Sequence, residues 1–395
     1  MSENRVESNG SSSRVFAGGV GRYLLPAVIF QSVLMGGGYA SGREVVQYGA
    51  RFGVLGIWNI LAIFAGFTLI SILMYELARV TKSYNYRPLV RNMIGPIWPL
   101  FDVLWIVMAV ISIAAMGSAA GEIGQSVLRL PYLVGVGLVI ALVAVLTYYG
   151  RTLIEGTKSV GTVLVYFMWI GLAAVILLPR WGSVQEVFAS GSTEALDSSS
   201  FLSSPTVIAA IVTGILYVSY NLPALTTVLF SVDRQRTRKE TVGAGVLTGV
   251  LAIIPFILTY LCLMAFYPNE EVIGAPVPWL AMLEQIGGGV LPILFAIVVI
   301  YTLIETATGF MHALIGRIDH SLTEMERAPL TSSQHALFSG AVLISAALLS
   351  QVGIIAIVAT GYTIMAYVFL ALFVLPLFTV GVYKIVKSPT ERNLR

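Results

Sequence analysis

Apolar runs long enough to cross a bilayer recur ten times along this chain, and nothing else in the sequence constrains the fold as strongly. A hydrocarbon core of about 30 Å needs about 20 apolar residues in helical form. Such runs fall approximately at residues 22–50, 54–80, 97–127, 132–149, 155–178, 205–231, 240–266, 288–318, 333–350 and 353–386. Inside hydrocarbon every backbone N–H and C=O must find a partner, which leaves the helix as the spanning element for runs of this length. The 395 residues are 57% hydrophobic and only 11% charged, and a mean hydropathy of +0.87 exceeds what a soluble core and surface can share. The expectation is an all-α integral membrane protein of about ten transmembrane helices.

Residues 1–21 are rich in Ser, Asn and Glu and contain no apolar core of a signal peptide, so they read as a disordered tail; 387–395 form a second tail. The segment 275–287, APVPWLAMLEQIG, is too short to cross and reads as an interfacial helix after span seven, with 83–94 a similar piece. An N-terminus on the cytoplasmic side puts 19 of the 23 Lys and Arg residues in cytoplasmic segments, leaving Arg43, Arg51, Arg129 and Arg180 outside. That bias orients a multi-pass protein of the cell membrane with both termini in the cytoplasm and 179–204 as an extracellular loop. The basic residues sit in short clusters at segment ends, which orient a protein in lipid and do not suggest nucleic acid.

Two spans are interrupted. Span one contains GGGYASG at Gly36–Gly42, and span six contains YVSYNLPA at Tyr217–Ala224. These open two successive groups of five spans, at 22–178 and 205–386, and because five is odd the second group enters from the opposite side. The pattern is a 5+5 inverted repeat with helices one and six broken.

Broken backbone at membrane depth is tolerated only where protein or an aqueous cavity satisfies it, so the two breaks are expected to face a common site. Glycine lets a ligand approach the backbone, and Pro223 withdraws a donor and frees a carbonyl. Half-helix N-termini attract a carboxylate and freed carbonyls a cation. The candidate solute-binding set is Gly36, Gly37, Gly38, Tyr39 and Ser41 from the first break and Tyr217, Ser219, Tyr220 and Asn221 from the second. The alternatives are close helix packing at the glycines and a plain proline kink.

Five acidic residues fall inside the spans: Glu44, Glu76, Asp102, Glu122 and Glu305. Each costs about 2.5–3.5 kcal/mol at the bilayer centre on insertion scales and so requires a partner or a task. Glu76 and Asp102 fall near cytoplasmic ends and read as interfacial. Glu305 lies near the middle of span eight, on a polar, small-residue face with Thr302, Gly309, His312 and Gly316; it reads as an ion or proton site, or as a carboxylate paired with His312. Glu122 shares a stripe with Ala115, Ala119 and Ser126 and reads either as a solute contact or as a packing hydrogen bond. Arg43 and Glu44 follow the first break and suggest a gate salt bridge, or an arginine that snorkels beside a fixed counter-ion.

Several chemistries lack their residues. The single Cys262 permits no internal disulfide, and the only histidines are His312, His320 and His335, with no H-E-x-x-H and no Cys/His cluster. GRTLIEGTK at Gly150–Lys158 lacks phosphate-loop spacing, and no G-x-S-x-G elbow is present. The expectation is a protein that is not an enzyme and carries no cofactor or bound metal.

The stretch GGGYASGREVVQYGARFGVLG, with YVSYNLP in span six and AYVFLALFVLPLFTVGVYKIV at the C-terminal end, resembles the YkvI family of bacterial membrane proteins. More distantly, the pattern resembles the amino acid–polyamine–organocation superfamily with the leucine-transporter fold. That resemblance implies solute-binding elements in spans one, three, six and eight, here Gly36–Ser41, Glu122, Tyr217–Asn221 and Glu305. Sodium-coupled relatives offer an adjacent Ser/Thr pair from span eight; here Thr306 and Thr308 are separated and Glu305 stands beside them, which favours a proton or a carboxylate-held cation over sodium. The expected function is a secondary active transporter, a proton- or sodium-coupled symporter of a small polar solute such as an amino acid or related zwitterion. A ligand-sensing receptor with a transporter-like site, and a channel, are the alternatives.

Overall fold

The computed structural model describes residues 18–149, 151–196 and 200–388, and every element of secondary structure among them is helical. Eight helices are each long and apolar enough to cross a bilayer, and a ninth crossing is the bent pair Val207–Tyr220 and Leu222–Arg234. The tenth is the 16-residue apolar helix Gly19–Leu34, continued past its break by Gly37–Ser41 and Arg43–Tyr48. The remaining spans are Gly56–Thr81 (two), Trp98–Leu128 (three), Tyr132–Tyr149 (four), Arg151–Ser190 (five), Arg238–Met264 (seven), Leu291–Glu324 (eight), Ser332–Ser350 (nine) and Ile354–Lys387 (ten).

The packing obeys the inverted repeat. Span two packs on span six, and span one packs on span seven; span three packs on span nine, and span four on span eight. Exchanging the first five spans with the second five converts each contact of a pair into the other. The main apolar cluster of the interior draws on all ten spans, and a small second one gathers Phe52, Ala209 and Ala210.

Two expectations need correction. Span five does not stop at 178 but continues through Pro179 to Ser190, because the apolar run gives way to an amphipathic stretch that stays helical. In it Arg180 lies over the ring of Phe266 at 4.4 Å. The segment 275–287 is helical only over Pro278–Gln285, which with Glu270–Ile273 forms a hairpin packed on protein, so that Trp279 is fully buried and meets Trp169 edge-on at 5.7 Å. An amphipathic helix needs an apolar surface, and here protein supplies it.

At the end of the bundle that carries the Lys and Arg clusters, ion pairs fasten the spans together. Arg22 Nη1 meets Glu240 Oε1 at 2.8 Å, and Gln235 Nε2 donates to the Arg22 carbonyl at 3.0 Å, pinning the base of span one to spans six and seven. Glu76 pairs with Arg79 and accepts from Thr241 Oγ1 at 2.7 Å. Asp102 pairs with Arg317 at 3.1 Å and Arg87 at 3.5 Å. Glu76 and Asp102 therefore each have cationic partners at this end, as a carboxylate withdrawn from water requires. The helix Tyr86–Ile94, expected at the interface, buries Arg87 among these groups.

Candidate functional site

The first break begins where Gly19–Leu34 ends. Gly36 is extended (φ −75°, ψ −174°) and caps the turn Gly37–Ser41, and Gly42 is left-handed at φ +85° before Arg43–Tyr48 resumes. A Cβ on Gly36 would lie 2.9 Å from Thr306 Cγ2 and 3.7 Å from Met116 Cε, so the break is seated against spans eight and three. A Cβ on Gly42, besides the strain of its φ, would lie 2.9 Å from Trp279 Cδ1. Glycine is required at both points for close approach.

The second break turns the helix axis by 45° at Asn221, ahead of Pro223. Ser219 Oγ donates to the Ile215 carbonyl at 2.8 Å, and Asn221 Nδ2 donates to the Tyr217 carbonyl at 2.9 Å. Both side chains serve their own helix in this conformation. The bend aims Tyr217 and Tyr220 at the first break.

Where the two breaks meet stands Glu44, 5% exposed, whose Oε2 accepts from the Tyr220 hydroxyl at 2.6 Å. The rings of Tyr48, Tyr217 and Tyr220 contact one another with centroids 5.3–5.5 Å apart, and Tyr362 of span ten packs on Tyr220 at 4.8 Å. Tyr39, Tyr48, Tyr217 and Tyr362 all lie within electrostatic reach of the Glu44 carboxylate. The Tyr217 hydroxyl is buried and makes no hydrogen bond, while that of Tyr39 lies beside Thr259.

The expected gate pair does not form. Arg43 Nη1 points away from Glu44 and donates to the carbonyls of Ile273 and Ala275 at 2.7 and 3.1 Å, fastening the 270–285 hairpin over the break. Consecutive residues on a helix project about 100° apart, so an adjacent Arg and Glu cannot face each other. Arg51 Nη2 donates to the Leu202 carbonyl at 2.9 Å on the same side. A cavity of about 190 Å³ there, lined by Gln47, Tyr48, Arg51, Thr213 and Thr363, reaches Tyr48. The Tyr48 ring, held by contacts of its hydroxyl with Thr363 Oγ1 at 3.2 Å and the Val358 carbonyl at 3.4 Å, lies against Tyr217 and Tyr220.

The structure therefore buries Gly36, Tyr39, Ser41, Glu44, Tyr217, Ser219 and Tyr220 at the two breaks, with Gly37 and Gly38 in the adjoining turn. Ser41 Oγ accepts from the Arg43 amide at 3.1 Å. Glu122 is not brought there: it lies half-buried near Tyr132 of span four, whose hydroxyl donates to Ser118 Oγ and the Ser350 carbonyl. Met116, not Glu122, is the span-three residue at the break. On span eight Thr306 touches the break, whereas Thr308 Oγ1 donates to the Ile304 carbonyl at 2.7 Å. Glu305 and His312 are half-buried on a neighbouring face, where a Cβ at Gly309 or Gly316 would meet no described atom within 4 Å. That face is no tight packing seam among the described residues. Tyr48 and Tyr362 were not singled out from the sequence; the spacing of Tyr48 one helical turn beyond Glu44 was the available signal.

Ten crossings in an inverted repeat, with helices one and six broken against each other, define a helical membrane protein of the leucine-transporter fold. No family model matches the chain, so the likeness to the YkvI family rests on sequence motifs alone. A relative, the uncharacterised protein YyaD of Bacillus subtilis (strain 168), is 24% identical over 230 residues, 56% of this chain and 61% of that protein. The match thus spans less than two thirds of the relative's length. Among solved structures, the inward-facing conformation of Mhp1 is similar with a TM-score of 0.57 at 15% identity, covering 95% of this chain and 77% of that one. A Na+-coupled sialic acid symporter in a substrate-bound outward-open state gives 0.55 at 11%, covering 91% and 85%. The Eremococcus coleocola manganese transporter gives 0.53 at 16%, covering 94% and 80%. These likenesses are likenesses of fold.

Proposed function

We propose that this protein is a secondary active transporter of a small polar solute, an amino acid or related zwitterion, working by alternating access around the two broken helices. The observation that carries the reading is the meeting of both breaks at one buried polar centre, with Tyr48 and the Arg43-fastened hairpin on one side of it and the Arg22–Glu240 pair on the other. A site with a separate closure on each side is what alternating access requires. The similarity of fold to a Na+-coupled symporter and a manganese transporter supports the class and leaves solute and ion to experiment.

In this reading the turn at Gly36–Ser41 receives the solute carboxylate, and Tyr217, Ser219 and Asn221 complete the pocket when the second break rearranges. Glu305, beside Thr306 at the first break, is the coupling group, for a proton or for sodium. The Lys- and Arg-rich end faces the cytoplasm.

The test is uptake of labelled amino acids and amines into proteoliposomes, with and without a trans-loaded solute. Exchange stimulated from the opposite side supports a transporter. Binding without flux identifies a sensor, and flux without trans-stimulation a channel.

A further inference from the structure

We propose that Glu44 is the counter-ion for an ammonium group on the solute, with the tyrosines around it forming the wall of an ammonium-binding pocket. The proposal deepens the transporter reading and rests on it for the term solute; the site itself is a matter of binding.

The carboxylate is 5% exposed, and its hydrogen-bond partner is a neutral hydroxyl, that of Tyr220. No cation among the described residues pairs with it: the adjacent Arg43 is committed to two carbonyls. Every other carboxylate buried to a comparable degree in the described bundle has a cationic partner, Glu76 with Arg79 and Glu240 with Arg22. An unpaired carboxylate in an aromatic interior costs several kcal/mol, and removing water makes a visiting cation correspondingly more welcome.

Three candidate cations differ in what they would satisfy. A proton would neutralise Glu44 and leave the Tyr217 hydroxyl oxygen without a partner. A transition-metal ion calls for several His, Cys or carboxylate ligands, and the described residues hold no group of three such side chains. An ammonium group carries up to three N–H donors. It can donate to Glu44 and to the Tyr217 oxygen while the tyrosine ring faces attract its charge. An ammonium thus uses the carboxylate, the free hydroxyl and the rings together. An α-amino acid then lies with its ammonium at Glu44 and its carboxylate toward the glycine turn.

The test compares matched pairs of probes on the purified full chain by calorimetry and thermal shift: L-alanine with L-lactate, L-leucine with 2-hydroxyisocaproate, and ethanolamine with ethylene glycol. The expected result is that at least one ammonium member binds and its hydroxyl isostere binds roughly 30-fold more weakly or not at all. Glu44→Gln should lose a similar factor, Glu44→Asp should retain most of the affinity, and Tyr217→Phe should cost roughly tenfold. If Glu44→Gln does not fold, the isostere comparison on the wild type and Tyr217→Phe decide. Equal binding of the isosteres, no binding by any ammonium probe, or unchanged affinity in Glu44→Gln overturns the proposal, the last making Glu44 a proton or structural site. Exchange of the same ligands in proteoliposomes separates the two claims. Binding without exchange defeats transport alone, and exchange of solutes lacking an ammonium group defeats the ammonium site alone.

Discussion

The Tyr220 hydroxyl donates a 2.6 Å hydrogen bond to Glu44 Oε2 and so ties the two broken helices together across 176 residues of sequence. Such a bond contributes about 0.5–1.5 kcal/mol net, and up to about 3 kcal/mol when its acceptor is charged, enough for whatever occupies the centre to bias the relative position of the two repeats. A ligand shifts such an equilibrium only by its differential affinity for the two states. One that competes with Tyr220 for Glu44 has that leverage.

Arg43 is expected to act as a latch on the hairpin. Arg43→Ala removes its bonds to the Ile273 and Ala275 carbonyls and should weaken the closure by about 2 kcal/mol. The labelling rate of a cysteine placed at Gln47, in a background with buried Cys262 replaced, should rise at least severalfold. An unchanged rate would mean that the packing of Trp279 on Trp169 holds the hairpin by itself.

The seat of the first break on span eight is testable through Gly36 and Thr306. Gly36→Ala places a methyl 2.9 Å from Thr306 Cγ2 and should lower stability by about 1–3 kcal/mol, since the backbone at φ −75° accepts alanine and only the collision matters. Thr306→Ser removes the opposing methyl and should restore about 1 kcal/mol or more in the double variant. Thermal unfolding of the four proteins measures it; simple additivity would show that the contact yields without cost.

For Glu305, the expected outcome of Glu305→Gln is loss of gradient-driven accumulation with solute binding and exchange retained, because the residue adjoins Thr306 at the break and glutamine fixes it in a neutral form. Uptake into proteoliposomes under imposed proton or sodium gradients checks this. Wild-type accumulation by the variant would remove Glu305 from the coupling mechanism. Dependence on sodium alone would keep the site and change the ion.

The fold was legible in the sequence because its signals are local: apolar length, the glycine run at Gly36–Gly38 and Tyr217–Pro223 each declare themselves within a few residues. The site was legible only in part. Which face of a nearly uniform apolar helix turns inward depends on its neighbours, and so Glu122 sits near Tyr132 while Met116 meets the break. Adjacency suggested that Arg43 and Glu44 pair, whereas helical geometry sends them in different directions. Tyr362 joins the centre from span ten through packing alone, and the amphipathic face of 275–287 carried no mark that its apolar partner was protein.

Alternating access is the central claim, and reciprocal accessibility tests it most directly. In a background without Cys262, single cysteines are placed at Gln47, in the cavity beside Tyr48, and at Leu229, buried in the half-helix beyond the second break. Labelling by an impermeant reagent is followed from each side of proteoliposomes as ligand and ion gradient are varied. The account predicts that any condition raising the reactivity of one position lowers that of the other. Reactivities that rise together, or that never respond, would contradict it.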